Sequence, residues 1–228
     1  MTEEGNSEWR GDIAFFGKIA AGFSHEINNV ISGVSELSGL LTDLCALAER
    51  GSPPDLARLK KNCETISAQA QRGVTIIRQF NRFAHSADEP SVVYDPFVHI
   101  QNLVELCRRF ADMKRVKLGL SSPEERCNIK GSPFQLLHLV FSVINTALCT
   151  VEENGAVTLS MTKKEGGLNI TANISPVSAE EGLISNKNLL DDLASGLEGR
   201  SFIDYCKTDM TASVTISLPD SILYIPEV

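Results

Sequence analysis

The stretch Gly22-Phe23-Ser24-His25-Glu26-Ile27-Asn28-Asn29 lies inside a long apolar repeat. Apolar residues recur there at alternating steps of four and three, which is the pattern of a helix packed in a bundle. The repeat consists of Phe16, Ala20, Phe23, Ile27, Val30, Val34, Leu37, Leu41, Leu44 and Ala48. We therefore predict one long helix, which at 1.5 Å per residue is about 50 Å long.

A second repeat follows after a break at Glu49-Arg50-Gly51-Ser52-Pro53-Pro54, in which Ser52 and Pro53 are placed to start the next helix. Its positions are Leu56, Leu59, Cys63, Ile66, Ala70, Gly73, Ile77, Phe80 and Ala84. Two long helices joined by a short turn fold back antiparallel, so residues whose numbers sum to about 103 should be neighbours. A lone hairpin leaves much of each stripe in water, so we expect two copies to form a four-helix bundle, and hence a homodimer.

His25 falls at the position of the repeat farthest from the apolar seam, which argues against a buried core histidine and leaves an ordinary solvated histidine as the alternative. Small or amide side chains surround it, where an exposed helix face usually carries Lys and Glu. A flat surface around one imidazole suits the close approach of another protein. We therefore predict that Gly22, Asn28 and Ser32 contribute to partner docking.

The second predicted helix is rich in arginine and lysine and carries little opposite charge. Arg78 should lie near the height of His25 in the folded hairpin, and Arg82 lies one turn further along. Positive charge beside His25 would help an acidic partner to dock, so both arginines are predicted docking residues. A solvated helix face with a few arginines is the alternative.

Residues 19–29 resemble the H-box of two-component histidine kinases, within their dimerisation and histidine-phosphotransfer hairpin, and the resemblance extends from about Phe16 to Ser86. It implies that His25 is the phosphoacceptor, since a neutral imidazole is nucleophilic without deprotonation. It also implies that Glu26 orients the ring and accepts its other proton, and that Asn29 can orient a water that dephosphorylates a bound response regulator. A solvated charge and a neutral surface amide are the alternatives for these two residues.

The pattern changes to mixed helices and strands after a predicted linker, Ser86 to Ser91. Helices are predicted to open at Asp95-Pro96 and at Ser132-Pro133-Phe134-Gln135, the second being apolar on nearly all sides. Four segments alternate as strands do: 116–120, 157–161, 168–174 and 212–218. We predict an α+β chain in which a dimeric helical hairpin precedes a two-layer α/β sandwich. Its parts would be a tail (1–11), the hairpin (12–86), the second domain (92–219) and a second tail (220–228).

The order of elements in the second domain resembles the ATP-binding domain of the same kinases. Asn145 stands in the place of their magnesium-binding asparagine, but Phe141 replaces its usual N-box partner. An adenine-reading Asp-x-Gly-x-Gly stretch is replaced by Ser175-Pro176-Val177-Ser178-Ala179-Glu180-Glu181-Gly182. The glycine-rich lid is reduced to Gly196-Leu197-Glu198-Gly199. We expect that this degenerate domain has lost nucleotide binding, that Asn145 is a structural remnant, and that no metal or cofactor is stably bound.

Composition narrows the function classes further. The 228 residues carry a net charge of −8, and an acidic chain is a poor candidate for binding nucleic acid, which rests on Lys and Arg. There is no run of about 20 apolar residues and no signal pattern, so we expect a cytoplasmic protein without a membrane segment. The six cysteines never form C-x-x-C, and we expect reduced thiols and no zinc site.

Together these features resemble the dimeric, ChpT-like histidine phosphotransferases, which look like a kinase core without its kinase activity. The resemblance implies that His25 accepts a phosphoryl group from the aspartate of a receiver domain and passes it to another response regulator, with magnesium supplied by the receiver. Two alternatives stay open from the sequence. One is an active soluble histidine kinase, and the other is a non-catalytic adaptor or phosphatase of response regulators.

Overall fold

The computed structural model describes residues 3–51, 53, 55–88, 90–164, 166–177 and 181–224. Its helices are α1 (Glu3–Glu49), α2 (Leu56–Ala84), α3 (Pro96–Met113), α4 (Pro133–Thr150), α5 (Glu181–Ile184) and α6 (Lys187–Ser195), with 3₁₀ turns at His85–Ala87 and Asp220–Ile222. Its strands are β1 (Val92–Tyr94), β2 (Lys117–Leu120), β3 (Asn128–Gly131), β4 (Val151–Lys164), β5 (Gly167–Val177), β6 (Arg200–Cys206), β7 (Thr211–Pro219) and β8 (Leu223–Tyr224). The predicted α+β class is confirmed.

The first two helices form the predicted antiparallel hairpin. The rings of Phe23 and Phe80 stack with centroids 4.1 Å apart, and a Cβ atom on Gly73 would lie 3.2 Å from Val30 Cγ1. The numbers of each pair sum to 103, as the fold-back geometry requires. Helix α2 begins later than predicted, because the Asp55 carboxylate caps it by accepting a hydrogen bond from the backbone N–H of Arg58 at 3.0 Å. Ser52 lies outside the described residues.

Helix α1 also carries a second buried stripe that the heptad repeat did not predict. Phe15 and Ile19 are only 2% and 1% exposed, and Phe15 stacks on the His138 ring of α4 with centroids 4.9 Å apart. Asp12 Oδ1 lies 2.7 Å from Nδ1 of the same histidine. Helix α1 begins at Glu3, so residues 3–11 of the predicted tail (1–11) are helical.

The second domain has two layers. Its five-stranded sheet has the order β2-β4-β5-β7-β6, in which β2 and β4 are parallel and the other neighbours are antiparallel. Alternate residues such as Leu159, Ile170 and Ile216 are buried on one face, while their neighbours are polar and more exposed. Helices α3, α4 and α6 contact this sheet. The N-terminal part of α1 and the C-terminal part of α2 pack on α3 and α4. These two helices in turn lie against the sheet.

A small three-stranded sheet in the order β1-β3-β8 completes the domain. It corrects the predicted C-terminal tail, because Leu223 pairs with Ile129 and Ile222 is buried, so residues 220–224 belong to the second domain. The predicted linker also takes part in packing, as Ser86 is buried and donates a hydrogen bond to the carbonyl of Phe83 at 2.6 Å. Glu89 of that linker and Glu165 of the β4–β5 turn lie outside the described residues.

The apolar helix α4 begins as predicted. Ser132 is its N-cap, and the Ser132 hydroxyl oxygen accepts a hydrogen bond from the backbone N–H of Gln135 at 3.3 Å. By length and composition alone, two described helical segments could cross a membrane, namely Arg10–Glu49 and Pro133–Thr150. Helix α4 is mostly buried inside the second domain, whereas the segment of α1 is mostly exposed.

Candidate functional site

The H-box-like segment of α1 presents His25 to solvent. Asn28, Asn29 and Ser32 are exposed beside it, as the heptad register predicts for this face. Among the residues that the structure describes, none forms a hydrogen bond or an ion pair with the imidazole of His25. The ring is therefore open to a reacting group from outside the chain.

The other three histidines each have a partner within the fold. His85 Nδ1 lies 2.6 Å from Asp88 Oδ2, and His138 is held by Asp12 as described above. The ring of His99 packs edge-on against Tyr94, with centroids 4.9 Å apart, and burial lowers the pKa of His99 below its usual range. These contacts distinguish His25 from the remaining histidines.

Glu26 is held between two arginines from different elements. Arg72 Nη2 of α2 donates to Glu26 Oε2 at 2.5 Å, and Arg109 Nη1 of α3 donates to Oε1 at 3.2 Å. The sequence predicted neither contact, because Arg72 and Arg109 stand 46 and 83 positions away from Glu26 and no local pattern links them to it. Glu26 is thus not the solvated helix charge that was one alternative, and both of its oxygens accept from a guanidinium.

Gly22 is a correction to the predicted docking surface. It is buried, and a Cβ atom there would lie 3.1 Å from Cζ of Phe110 on α3. The glycine allows the second domain to approach the hairpin one turn before His25. The space that the glycine leaves, which suggested a flat docking surface, is filled by Phe110 of the same chain.

The two predicted docking arginines, Arg78 and Arg82, are exposed on α2. Arg82 lines a groove together with His85 and His99, and its charge is the second cause, after burial, of the lowered pKa of His99. The α2 arginine that reaches Glu26 is Arg72, which the helical spacing did not single out.

Asn145 lies half-buried on α4 at a groove of about 360 Å³ between α1, α3 and α4. The described groove lining is largely apolar, contains Lys18 and Lys114, and contains no carboxylate. Lys114 Nζ donates to the carbonyl of Leu148 at 2.6 Å. Because Mg²⁺ takes oxygen ligands, above all carboxylates, and is repelled by ammonium groups, these residues do not fit a magnesium site.

The short glycine segment before β6 closes the end of α6. Backbone N–H groups of Gly196, Leu197, Glu198 and Gly199 donate to carbonyls of residues 192, 194, 195 and 194, respectively, at 2.8–3.3 Å. Phosphate binding by a glycine-rich loop requires free N–H groups, and these four are engaged. This segment therefore does not fit a nucleotide's phosphates. Residues 178–180, in the stretch that replaces the adenine-reading motif, lie outside the described residues.

No protein-family model and no curated relative match the chain. Similar solved structures include the catalytic domain of histidine kinase ThkA, with a TM-score of 0.48 and 7% identity over 57% of this chain and 96% of that one. Acinetobacter baumannii histidine kinase AdeS gives 0.46 and 11% over 80% and 94%, and the cytoplasmic segment of histidine kinase QseC gives 0.45 and 14% over 65% and 93%.

Proposed function

We propose that the protein is a histidine phosphotransferase of a two-component phosphorelay, with His25 as the residue that carries the phosphoryl group. The observation that carries this proposal is the contrast among the four histidines. His25 is exposed and unpartnered among the described residues, inside an H-box-like sequence, whereas His85, His99 and His138 each pack against or bond to a neighbour.

The proposed reaction exchanges one bond for another. A neutral ring nitrogen of His25 attacks the phosphorus of a receiver's aspartyl phosphate, the N–P bond forms, and the P–O bond to the aspartate breaks with its electron pair returning to the carboxylate. The proton on the other ring nitrogen is released to water or to a nearby base. Transfer to a second receiver reverses these steps, and the receiver supplies the magnesium ion.

The second domain supports a phosphotransferase over an active kinase. An autokinase must bind ATP with magnesium, but the N–H groups of residues 196–199 are engaged by α6 and the Asn145 groove carries lysines where a cation would need carboxylates. We propose that this domain is a fixed support for the hairpin and that it binds no nucleotide stably.

The hairpin surface supports a homodimer. Large apolar side chains stay exposed along it, and the set includes Ile31, Leu40, Leu47, Leu56, Val74 and Ile77. Their burial against a second copy, at about 25 cal/mol per Å² of apolar surface, would favour association. We propose a dimeric four-helix bundle, with response-regulator receiver domains as partners and a cytoplasmic location.

Phosphoryl acceptance tests the proposal. The purified protein is mixed with a receiver domain phosphorylated by acetyl phosphate, and acid-labile phosphate on the protein is then measured. His25→Gln should reduce the signal to background, while the matched control His85→Gln, also exposed, should keep it. Both variants should stay folded, because neither side chain is buried. Transfer to His25→Gln would refute the proposal.

The same face favours a second candidate, a phosphatase of response regulators, because Asn29 is exposed four residues after His25. In that case Asn29→Ala would abolish phosphate release from the receiver, whereas His25→Gln would leave release intact. A phosphotransferase gives the opposite result at His25, because the loss of phosphate that the protein adds to the receiver's own slow hydrolysis occurs by transfer to that residue.

A further inference from the structure

Two adjacent arginines on α3 differ in what they contact. Arg108 is 59% exposed and pairs with Glu105 of its own helix at 2.8 Å. Arg109 is 19% exposed and reaches Glu26 on the hairpin at 3.2 Å. Since Glu26 follows His25 directly, Arg109 is a link from the second domain to the phosphoacceptor turn.

The geometry of the link fixes the carboxylate of Glu26. Each of its oxygens accepts from a different guanidinium, Arg72 on one side and Arg109 on the other. Arg109 and Glu26 are largely shielded from solvent, with exposed fractions of 19% and 24%. Arg72 is 52% exposed, so water screens its bond more than it screens the bond from Arg109, and the Arg109 bond is the better shielded restraint on the Glu26 side chain.

The backbone below this link is held as well. Phe110, next to Arg109, fills the space over Gly22, one turn before Glu26. Nearer the start of α3, Asn102 Nδ2 donates to the backbone carbonyl of Gln79 on α2 at 2.9 Å. Helix α3 therefore lies along both helices of the hairpin at the level of the H-box, and Arg109 is the member of this contact that reaches the residue beside His25.

We propose that Arg109 is a positioning residue for phosphoryl transfer at His25, acting through Glu26 from the second domain. This inference rests on the proposed function. Held between two guanidiniums, Glu26 fixes the turn of α1 that carries His25, so the imidazole is presented to a receiver in a constant position. The second domain thus contributes to transfer without binding a nucleotide.

The test uses the full chain and four variants: Arg109→Gln, Arg109→Lys, Glu26→Gln and the control Arg108→Gln. Transfer from a receiver domain phosphorylated by acetyl phosphate is followed over a range of receiver concentrations. Arg109→Gln should lower the maximal rate about tenfold and change the half-saturating concentration less than about twofold, since orientation and not docking is lost. Arg109→Lys should recover part of the rate, and Arg108→Gln should behave as wild type.

A double variant separates positioning from general stability. If Arg109 acts through Glu26, then Glu26→Gln combined with Arg109→Gln should be no slower than Glu26→Gln alone. Losses that multiply in the double variant would overturn the inference. An unchanged maximal rate in Arg109→Gln, or an equal loss in Arg108→Gln, would do so too.

Amide hydrogen exchange provides a readout that does not depend on transfer. Arg109→Gln should speed exchange in the peptide that contains residues 22–29, and Arg108→Gln should not. If the wild type accepts no phosphoryl group, the proposed function fails, and exchange still decides whether Arg109 holds this turn. Wild-type exchange in Arg109→Gln would overturn the inference even if the transfer rate of that variant is reduced.

Discussion

The resemblance to histidine kinases assigns reacting or binding groups to two places, the exposed face around His25 and the turn between α6 and β6. The two places differ in whether their polar groups are free to contact an external ligand. At the first, the imidazole and the amides of Asn28 and Asn29 stand in solvent. At the second, four consecutive backbone N–H groups are bonded to carbonyls of α6. A motif residue can serve an external ligand only where the fold does not already use its polar groups.

The largest expected loss of stability is in the heptad repeat of α1 on the C-terminal side of His25, which includes Leu37 and Leu41. Leu37→Glu places a charge in this stripe, and we expect the dimer to dissociate and the hairpin to lose much of its helical structure. Loss of one well-buried leucine contact is worth about 1.5–3 kcal/mol, and a dimer would lose it twice. Light scattering and far-UV circular dichroism measure both effects.

Ser35→Glu, on an exposed position of the same helix, is the control and should leave the dimer intact. A folded wild-type monomer at micromolar concentration would contradict the four-helix bundle. Leu41→Glu, one turn further along the repeat, should repeat the effect of Leu37→Glu.

A medium effect is expected at the α6–β6 turn. A Cβ atom on Gly199 would lie 2.8 Å from Leu218 Cδ2 and 2.8 Å from the carbonyl oxygen of Ser217. Gly199→Ala should therefore lower the free energy of unfolding by about 1–3 kcal/mol, as overpacking does. Urea unfolding measures this change.

The matched control in the same turn is Gly196→Ala. Gly196 has a helical φ of −60°, and its Cβ would meet only ordinary contacts from 3.5 Å outward. Its effect should stay within about 0.5 kcal/mol. Equal stability of the two variants would contradict the view that Gly199 is present for packing.

The smallest expected effect tests whether Gly22 belongs to the exposed face around His25. Gly22→Ala forces the Phe110 ring to move by a few tenths of an ångström, so we expect a loss of about 1 kcal/mol or less despite the better helix propensity of alanine. Gly17→Ala, where nothing described lies within 4 Å, should instead stabilise the protein. The melting temperatures of the two variants measure these effects. Stabilisation by Gly22→Ala would contradict the burial of Gly22 under Phe110 and would indicate that this residue belongs to the exposed face.

The sequence predicted the elements that follow from periodicity. The hairpin, the Ser132 cap and the β4–β5 hairpin all rest on apolar spacing or local side-chain chemistry. The β1-β3-β8 sheet was missed because β1 and β8 have only three and two residues, and β3 (Asn-Ile-Lys-Gly) contains a single apolar residue, so none of them shows an alternation. The second buried stripe of Phe15 and Ile19 was missed because one seam was assumed for a helix that packs on two sides.

In the candidate site, too, the features that depend on one helix could be predicted, and those that depend on packing between elements could not. The exposure of His25 followed from its place in the heptad register, which is a local property of one helix. The Glu26–Arg109 contact and the burial of Gly22 under Phe110 depend on how α3 docks against the hairpin. Such contacts join residues more than 80 positions apart, and no spacing within one element encodes them.

One measurement tests the central claim most directly: the wild-type protein is offered two phosphoryl donors in parallel, a phosphorylated receiver domain and magnesium–ATP, each labelled on the transferable phosphate. Acid-labile label on His25 is then followed with time and located by mass spectrometry. We predict rapid labelling of His25 from the receiver and none from ATP. Labelling from ATP at a comparable rate, or no labelling from any receiver, would contradict the account.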